Sequence, residues 1–194
     1  MRHILLALML LCFSSFLAVP AQSQDTFQLF GGYSYLHAPV TLTETTTCPV
    51  GVVCLPVAIG THPNLNGWEL SGTYNAYKWL GATADFSGDY GSSLGSTVHL
   101  QTFLFGPQVH LPGPVSPFAH VLFGGAHESL GGNFSLGIGS GSANAFAVAA
   151  GAGIDLKVAT FVSLRAIQLD YLVTRFGSAT QNQPRVSAGV VFHF

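Results

Sequence analysis

The chain has 194 residues, of which 48% are hydrophobic and only 7% are charged, and its formal net charge is −2. A soluble protein normally carries about 25% charged residues, so this composition disfavours an ordinary soluble domain. The small net charge also leaves no basic patch for nucleic acid.

The N-terminus has the pattern of a secretory signal peptide. Arg2 and His3 precede an apolar run at 4–19, which small residues follow. This run is short for a membrane anchor, and the order of its parts fits a signal peptide. We expect a signal peptide at 1–23, cleaved after Ala21 or Ser23, and a single domain at 24–194. Loss of Arg2 leaves five basic and eight acidic residues, a net charge of about −3.

Eight segments of the mature chain alternate apolar and polar residues, which is typical of strands that meet different solvents on their two faces. They are expected at 26–36, 67–75, 80–87, 97–109, 118–127, 144–157, 161–174 and 184–194. Long polar loops at 36–64, 87–96, 128–143 and 175–183 alternate with short turns, the first of them at Ala76 and Tyr77. Membrane barrels keep periplasmic turns short and outer loops long, so the four loops are expected to be extracellular.

Polar side chains share one face of these strands, and we expect that face to line a barrel lumen. In 161–174, Arg165 has the opposite parity from Gln168 and Asp170, so we predict a β-bulge near Ala166 that brings all three inside. The pattern leaves open which way residues 103–105 face. The small inner residues of 144–157 leave room for long side chains from the opposite wall. The predicted lumen network is Glu69, Asp85, His99, Gln101, His120, Arg165, Gln168, Asp170 and Arg185.

The last strand, 184–194, has an apolar face that ends on Phe192 and Phe194. A strand of about ten residues with this dyad repeat matches the height of a tilted strand that crosses a bilayer. Aromatic residues are expected to form bands at the two membrane interfaces. One band comprises Phe27, Tyr74, Trp79, Phe192 and Phe194, and the other comprises Tyr35, Trp68, Phe86 and Tyr171.

Two cysteines of the mature chain, Cys48 and Cys54, lie close together in the first long loop. In an exported protein, such a pair most simply forms a loop disulfide. Metal binding is the alternative, but two thiols with the distant His62 make a poor zinc site.

Several segments resemble those of the small OmpA/OmpX-type outer-membrane proteins. They are FGGYSY (30–35), TADFSG (83–88), LFG (104–106), PFAHVLFGG (117–125), RAIQLDY (165–171) and the closing strand. The resemblance implies an all-β fold, an eight-stranded antiparallel up-and-down transmembrane β-barrel in the bacterial outer membrane. It also implies that the barrel-assembly machinery reads Phe192 and Phe194 as a terminal signal. Because the sequence stops at residue 194, we expect no peptidoglycan-binding domain and no cell-wall tethering of the kind found in full-length OmpA proteins.

An eight-stranded barrel has a lumen just wide enough for its own side chains. We therefore expect a plugged, monomeric barrel in outer-membrane lipid. Its role is expected to be structural, envelope-maintaining or adhesion-like and to be carried by the extracellular loops, through which it would contact a surface partner. The alternatives are a narrow pore and, with the faces exchanged, a soluble lipocalin-like carrier of apolar ligands.

We expect no enzyme activity and no cofactor or metal. The triplet His127, Glu128 and Ser129 has the His-x-Ser spacing of outer-membrane lipid A deacylases. Those enzymes orient the histidine with a carboxylate about a dozen residues further on, following the logic of a catalytic triad. Here residues 137–141 contain no acid, so deacylase activity is disfavoured.

Overall fold

A computed structural model describes residues 26–37, 40–44, 57–61, 64–93, 96–131, 141–176 and 179–194. The expected signal peptide at 1–23 and the expected disulfide between Cys48 and Cys54 lie outside the described residues. Within those ranges there is no helix of the length and apolar character needed to cross a membrane.

The described residues form ten antiparallel strands, eight of which close into one barrel. The strands are β1 (Phe27–His37), β2 (Val40–Glu44), β3 (Val57–Thr61), β4 (Asn64–Tyr77), β5 (Leu80–Ser93), β6 (Ser96–His110), β7 (Val115–Leu130), β8 (Gly141–Ala159), β9 (Val162–Phe176) and β10 (Ala179–His193). Around the barrel the order is β1, β10, β9, β8, β7, β6, β5, β4, and β2 and β3 form a separate two-stranded sheet. The fold class expected from the sequence is confirmed.

The first and last strands close the barrel. Gly31 of β1 lies opposite Val190 of β10 in an antiparallel ladder. The backbone N–H of Phe27 donates to the carbonyl of Phe194 at 3.1 Å, and the N–H of Phe194 donates back at 2.8 Å. Closure leaves no unpaired sheet edge, which a lipid environment demands. Phe27 and Phe194 therefore lie together at one end of the barrel, which we call the terminus end; we call the opposite end the loop end.

Strands reach further towards the loop end than the sequence pattern predicts. The expected loops at 87–96 and 175–183 are mostly strand, because β5 runs to Ser93, β6 starts at Ser96, β9 ends at Phe176 and β10 starts at Ala179. The expected loop at 36–64 contains the β2–β3 sheet. Serine, threonine and glycine lack the apolar alternation of a membrane strand, so the sequence pattern does not mark these extensions as strands. The first turn lies at 78–79 and not at Ala76 and Tyr77.

Large apolar side chains point outwards around the barrel. Phe105, Leu169 and Tyr171 are 60%, 53% and 52% exposed, respectively, whereas Leu104 is fully buried. Phe103 is also exposed, which settles the facing of residues 103–105: both phenylalanines face out and the leucine faces in. Because the outer wall is apolar, this arrangement contradicts the soluble carrier, in which the apolar faces would line the cavity.

The inner face of β8 is built from the smallest residues, and side chains of the neighbouring strands β7 and β9 fill the space above it. A Cβ atom at Gly153 would lie 2.6 Å from the ring of Phe118, and one at Gly151 would lie 1.8 Å from Oδ1 of Asp170. These two residues are the direct partners of the glycines in the ladders with β7 and β9. Neither glycine position can hold a side chain unless these neighbours move, so this part of the lumen is tightly packed.

A β-bulge in β9 redirects its side chains. Ile154 of β8 lies opposite Ile167, and the next residue, Asp155, lies opposite Arg165, so Ala166 has no partner. The register with β10 shifts at the same place. Arg165, Gln168 and Asp170 are all buried, while the side chains at the bulge face out. The predicted bulge near Ala166 is confirmed.

Candidate functional site in the barrel lumen

Arg185 of β10 lies at the centre of a cluster of three carboxylates. Its Nη2 and Nε atoms donate to Oδ2 of Asp170 at 2.6 and 3.0 Å. Nη1 and Nη2 each lie 3.4 Å from Oδ1 of Asp85, and Nε lies 3.6 Å from Oε2 of Glu69. All four side chains are buried. Burial of a charge is costly unless the charge is paired and hydrogen-bonded, and this cluster provides both kinds of contact.

Three further side chains contact carboxylate oxygens of Glu69 and Asp170. Gln168 donates through Nε2 to Oε1 of Glu69 at 2.7 Å and to Oδ2 of Asp170 at 2.8 Å. Ser187 donates to Oε2 of Glu69. Nε2 of His120 lies 3.0 Å from Oδ1 of Asp170. These contacts join β4, β7, β9 and β10 across the lumen.

A second ion pair lies nearer the terminus end and connects to the first cluster. Arg165 donates from Nε and Nη2 to the two oxygens of Asp155 at 2.8 and 2.9 Å, a bidentate pair. Its Nη1 donates to Oε1 of Gln168 at 2.7 Å. The guanidinium also lies between the rings of Phe30 and Phe118, 4.4 and 4.0 Å from their centroids. These cation–π contacts replace part of its lost hydration.

Seven of the nine residues expected in the lumen lie inside the barrel and belong to these two connected clusters. They are Glu69, Asp85, His120, Arg165, Gln168, Asp170 and Arg185. His99 and Gln101 do not: both are exposed on the outer wall, and the lumen assignment is wrong for them. Val98 and Leu100 take the inner positions of β6 and are 1% exposed. On β6 near the loop end, the outer face is polar and the inner face is apolar, so the polar side of the alternation does not mark the lumen there.

Sequence reasoning also missed buried polar residues. Asp155 shares the parity of the small inner residues of β8, so alternation could have placed it in the lumen. Asp89 is fully buried but falls in a segment expected to be a loop. Hydroxyl groups form a further chain across neighbouring strands, with Thr73 and Thr83 2.8 Å apart and Thr83 donating to Gln108 at 3.2 Å. Single hydroxyls carry no signal in a sequence so rich in serine and threonine.

The loop half of the lumen contains a buried aliphatic cluster. It comprises Leu36, Leu65, Val98, Leu100, Leu104, Leu122, Ala126, Ala145, Ala147, Ala149 and Leu172. Each of its leucines is at most 1% exposed. Among the described residues, the lumen therefore consists of a charged zone towards the terminus end and an aliphatic zone towards the loop end, in which buried polar side chains such as Ser34, Asp89, Thr174 and Gln183 also occur.

The described residues show neither a metal site nor a catalytic triad around His127. No group of three or more His, Cys, Asp or Glu side chains that could hold a metal ion occurs among the described residues. His127 is exposed on the outer wall, and its Nδ1 lies 2.7 Å from the amide oxygen of Asn144. An amide in this place does not supply the negative charge with which a triad carboxylate stabilises an imidazolium.

No family model matches this chain, and no curated protein matches it in sequence. Among solved structures, the neisserial surface protein NspA is similar over 89% of this chain and 100% of its own, with a TM-score of 0.61 and 13% identity. Ail, the attachment invasion locus protein of Yersinia pestis, is similar over 85% of this chain and 98% of its own, with a TM-score of 0.52 and 16% identity. OprG from Pseudomonas aeruginosa is similar over 87% of this chain and 95% of its own, with a TM-score of 0.50 and 10% identity. The chain therefore has the fold of the small eight-stranded outer-membrane β-barrels.

Proposed function

We propose that this chain is an integral β-barrel of the bacterial outer membrane with a closed lumen, and that its structural or surface-interaction role resides at the loop end. The observation that carries the proposal is the inverted polarity of the wall. Arg185 is 1% exposed inside the barrel, whereas Leu169 is 53% exposed outside. In water this distribution would be unfavourable, because apolar surface favours removal from water and charge favours hydration. In a bilayer it is the favourable one.

The packing of the lumen supports a plug more than a pore. An ion crossing the barrel would have to separate Arg185 from Asp170 and Asp85, and it would also have to pass the aliphatic zone. The leucine side chains of that zone offer no oxygen atoms to replace a hydration shell, although buried polar side chains such as Asp89 and Gln183 lie among them. A narrow pore is the second candidate. Opening such a pore would require a rearrangement of both zones of the lumen.

The charge distribution favours an uncharged or weakly charged surface partner. Of the six Lys and Arg residues, Arg175 alone lies at the loop end; Arg2 belongs to the expected signal peptide, Lys78 and Lys157 lie at the terminus end, and Arg165 and Arg185 are inside. A polyanion needs several cations. We therefore expect any partner to be recognised through hydrogen bonds and apolar contacts, with weak dependence on salt.

Refolding into phosphatidylcholine vesicles tests the barrel and its closure together. We expect a compact form that migrates differently on gels before and after heating, and no single-channel steps in a planar bilayer. Loss of vesicle association would contradict the membrane assignment. Regular conductance steps from the parent chain would favour the pore.

A second experiment tests which part of the molecule carries the structural or surface-interaction role. Cells that lack the chain are complemented either with the parent or with a variant in which an Asn-Gly turn replaces residues 40–61, which removes β2 and β3 but leaves the eight barrel strands. If the variant restores detergent resistance, the role lies in the barrel wall. If it assembles but does not restore resistance, the role lies in the β2–β3 extension. If even the parent fails to restore resistance, an envelope role is contradicted.

A further inference from the structure

The outer wall of the barrel carries a groove of about 510 Å³ near the loop end. It crosses the strands β5, β6, β7 and β8 on the face that the proposed function assigns to lipid. Its side nearer the terminus end is formed by the rings of Phe86 and Phe103, 4.6 Å apart, and Trp68 also lines it. The volume lies within the range of about 300–1,000 Å³ that is usual for ligand sites.

The groove exists because one side chain is missing from an aromatic row. Adjacent strands place Phe86, Phe103, residue 125 and Phe146 side by side along this row, and residue 125 is glycine. A Cβ atom at Gly125 would meet only the carbonyl oxygen of Ala145, at an ordinary 3.8 Å. Its neighbour Gly124 is different, because a Cβ atom there would lie 2.0 Å from the carbonyl oxygen of Phe103. Backbone packing therefore requires glycine at 124 but not at 125.

A row of polar side chains borders the groove on the side nearer the loop end. Gln101, His127 and Asn144 lie opposite one another on β6, β7 and β8, and all three are exposed. Because the amide oxygen of Asn144 can only accept, Nδ1 of His127 is the donor in their 2.7 Å contact. The amide nitrogens of Asn144 and Gln101 can then donate to oxygen atoms of a bound molecule. The groove is thus apolar towards the membrane centre and hydrogen-bonding towards its surface.

We infer that this groove holds one acyl chain of a lipid from the leaflet at the loop end, with the ester or headgroup oxygens of that lipid at Gln101, His127 and Asn144. A bilayer presents its lipids in this orientation, tail inwards and oxygen atoms outwards. An empty groove beside the rings of Phe86 and Phe103 would forfeit dispersion contacts, and a single narrow chain restores them. The closed barrel has no free edge with which a strand from a second copy could pair. The inference rests on the proposed membrane location.

The groove can be probed through Trp68, since the chain has two tryptophans and Trp79→Phe leaves Trp68 as the sole reporter. This parent would be inserted into vesicles of acyl-brominated phosphatidylcholine, which quenches nearby tryptophan, and then transferred into excess unbrominated nonionic detergent. Loosely associated lipids exchange with detergent, whereas a lipid in a site stays. We expect residual quenching of Trp68, and one phosphatidylcholine per chain by native mass spectrometry.

Two substitutions to leucine separate the groove from the rest of the wall. Gly125→Leu places a side chain in the gap and should reduce the residual quenching several-fold and remove the bound lipid. Ala152→Leu introduces the same side chain at an exposed position of β8 outside the groove, and should retain both signals. If Gly125→Leu lacks the heat-dependent gel shift of a folded barrel, Phe103→Ala replaces it: loss of one apolar wall should also lower retention.

Each outcome assigns the result to one claim. Full recovery of fluorescence in detergent by the folded parent would overturn the lipid site and leave the membrane assignment intact. Equal retention by the parent and by folded Gly125→Leu would also overturn it, as would a mass of two chains without lipid, which would assign the groove to a second copy. Failure of the parent to enter vesicles would instead contradict the proposed function.

Discussion

Nη2 of Arg185 lies 2.6 Å from Oδ2 of Asp170 in the centre of the barrel, and neither side chain reaches solvent. Their Cα atoms are direct partners across β9 and β10. The ladder register therefore aligns the pair, and Asp85 of β5 and Glu69 of β4 approach the same guanidinium from beyond β1, on the other side of Arg185. The barrel is held together across its lumen as well as around its circumference.

Removal of this guanidinium should destabilise the barrel severely. Arg185→Met leaves three buried carboxylates without their main counter-ion, and loss of one partner from a buried pair costs about 3–5 kcal/mol. Urea unfolding in lipid vesicles, followed by tryptophan fluorescence, would measure the change. Arg175→Met is the matched control, since Arg175 is exposed and a substitution at such a site changes stability by about 0.5 kcal/mol or less. Equal effects of the two substitutions would show that the lumen cluster does not stabilise the barrel.

The packed wall of β8 gives a second prediction. Gly153→Val should destabilise the barrel by about 1–3 kcal/mol, the usual cost of overpacking, because its Cβ would meet Phe118 and the carbonyl oxygen of Ile167, both at 2.6 Å. Gly31→Val is the control, because nothing lies within 4 Å of a Cβ atom at that position. The urea midpoints of the two variants in vesicles would be compared. A normal midpoint for Gly153→Val would mean that the lumen is less tightly filled than the geometry indicates.

Much of this architecture could be predicted because a membrane barrel imposes a simple rule on its strands. Alternation located all eight barrel strands, and the cost of an arginine in hydrocarbon correctly required a bulge near Ala166. The rule fails where the strands leave the membrane. There β6 turns Val98 inwards and His99 outwards, and the polar face no longer marks the lumen. Partners such as Asp155 and Arg165 depend on register across a bulge, which one strand's sequence does not encode.

The free-energy cost of a charged side chain on the outer face should depend on its depth in the membrane. Leu169→Arg places a guanidinium on the exposed side of β9 near the middle of the strand, where the cost in a bilayer is about 2–4 kcal/mol. Val158→Arg is the control, because Val158 is 72% exposed close to the turn between β8 and β9, near the membrane surface. We expect Leu169→Arg to lower the fraction that folds into vesicles and Val158→Arg to leave it nearly unchanged. The reverse order would contradict the proposed position of the membrane.

The final aromatic residue allows assembly in cells to be separated from intrinsic stability. Phe194 contributes two backbone hydrogen bonds with Phe27, and its ring, 69% exposed, lies 6.3 Å from that of Phe27. Phe194→Ala retains the backbone bonds and removes little buried surface, so we expect nearly normal folding into vesicles. If the barrel-assembly machinery reads the terminal ring, the same variant should accumulate poorly in the outer membrane of cells. Phe27→Ala removes the other ring of the pair and should assemble normally. Equal accumulation of the two variants would contradict recognition of the Phe194 ring by the assembly machinery. Phe194 would then be one aromatic residue of the interfacial band, like Phe27.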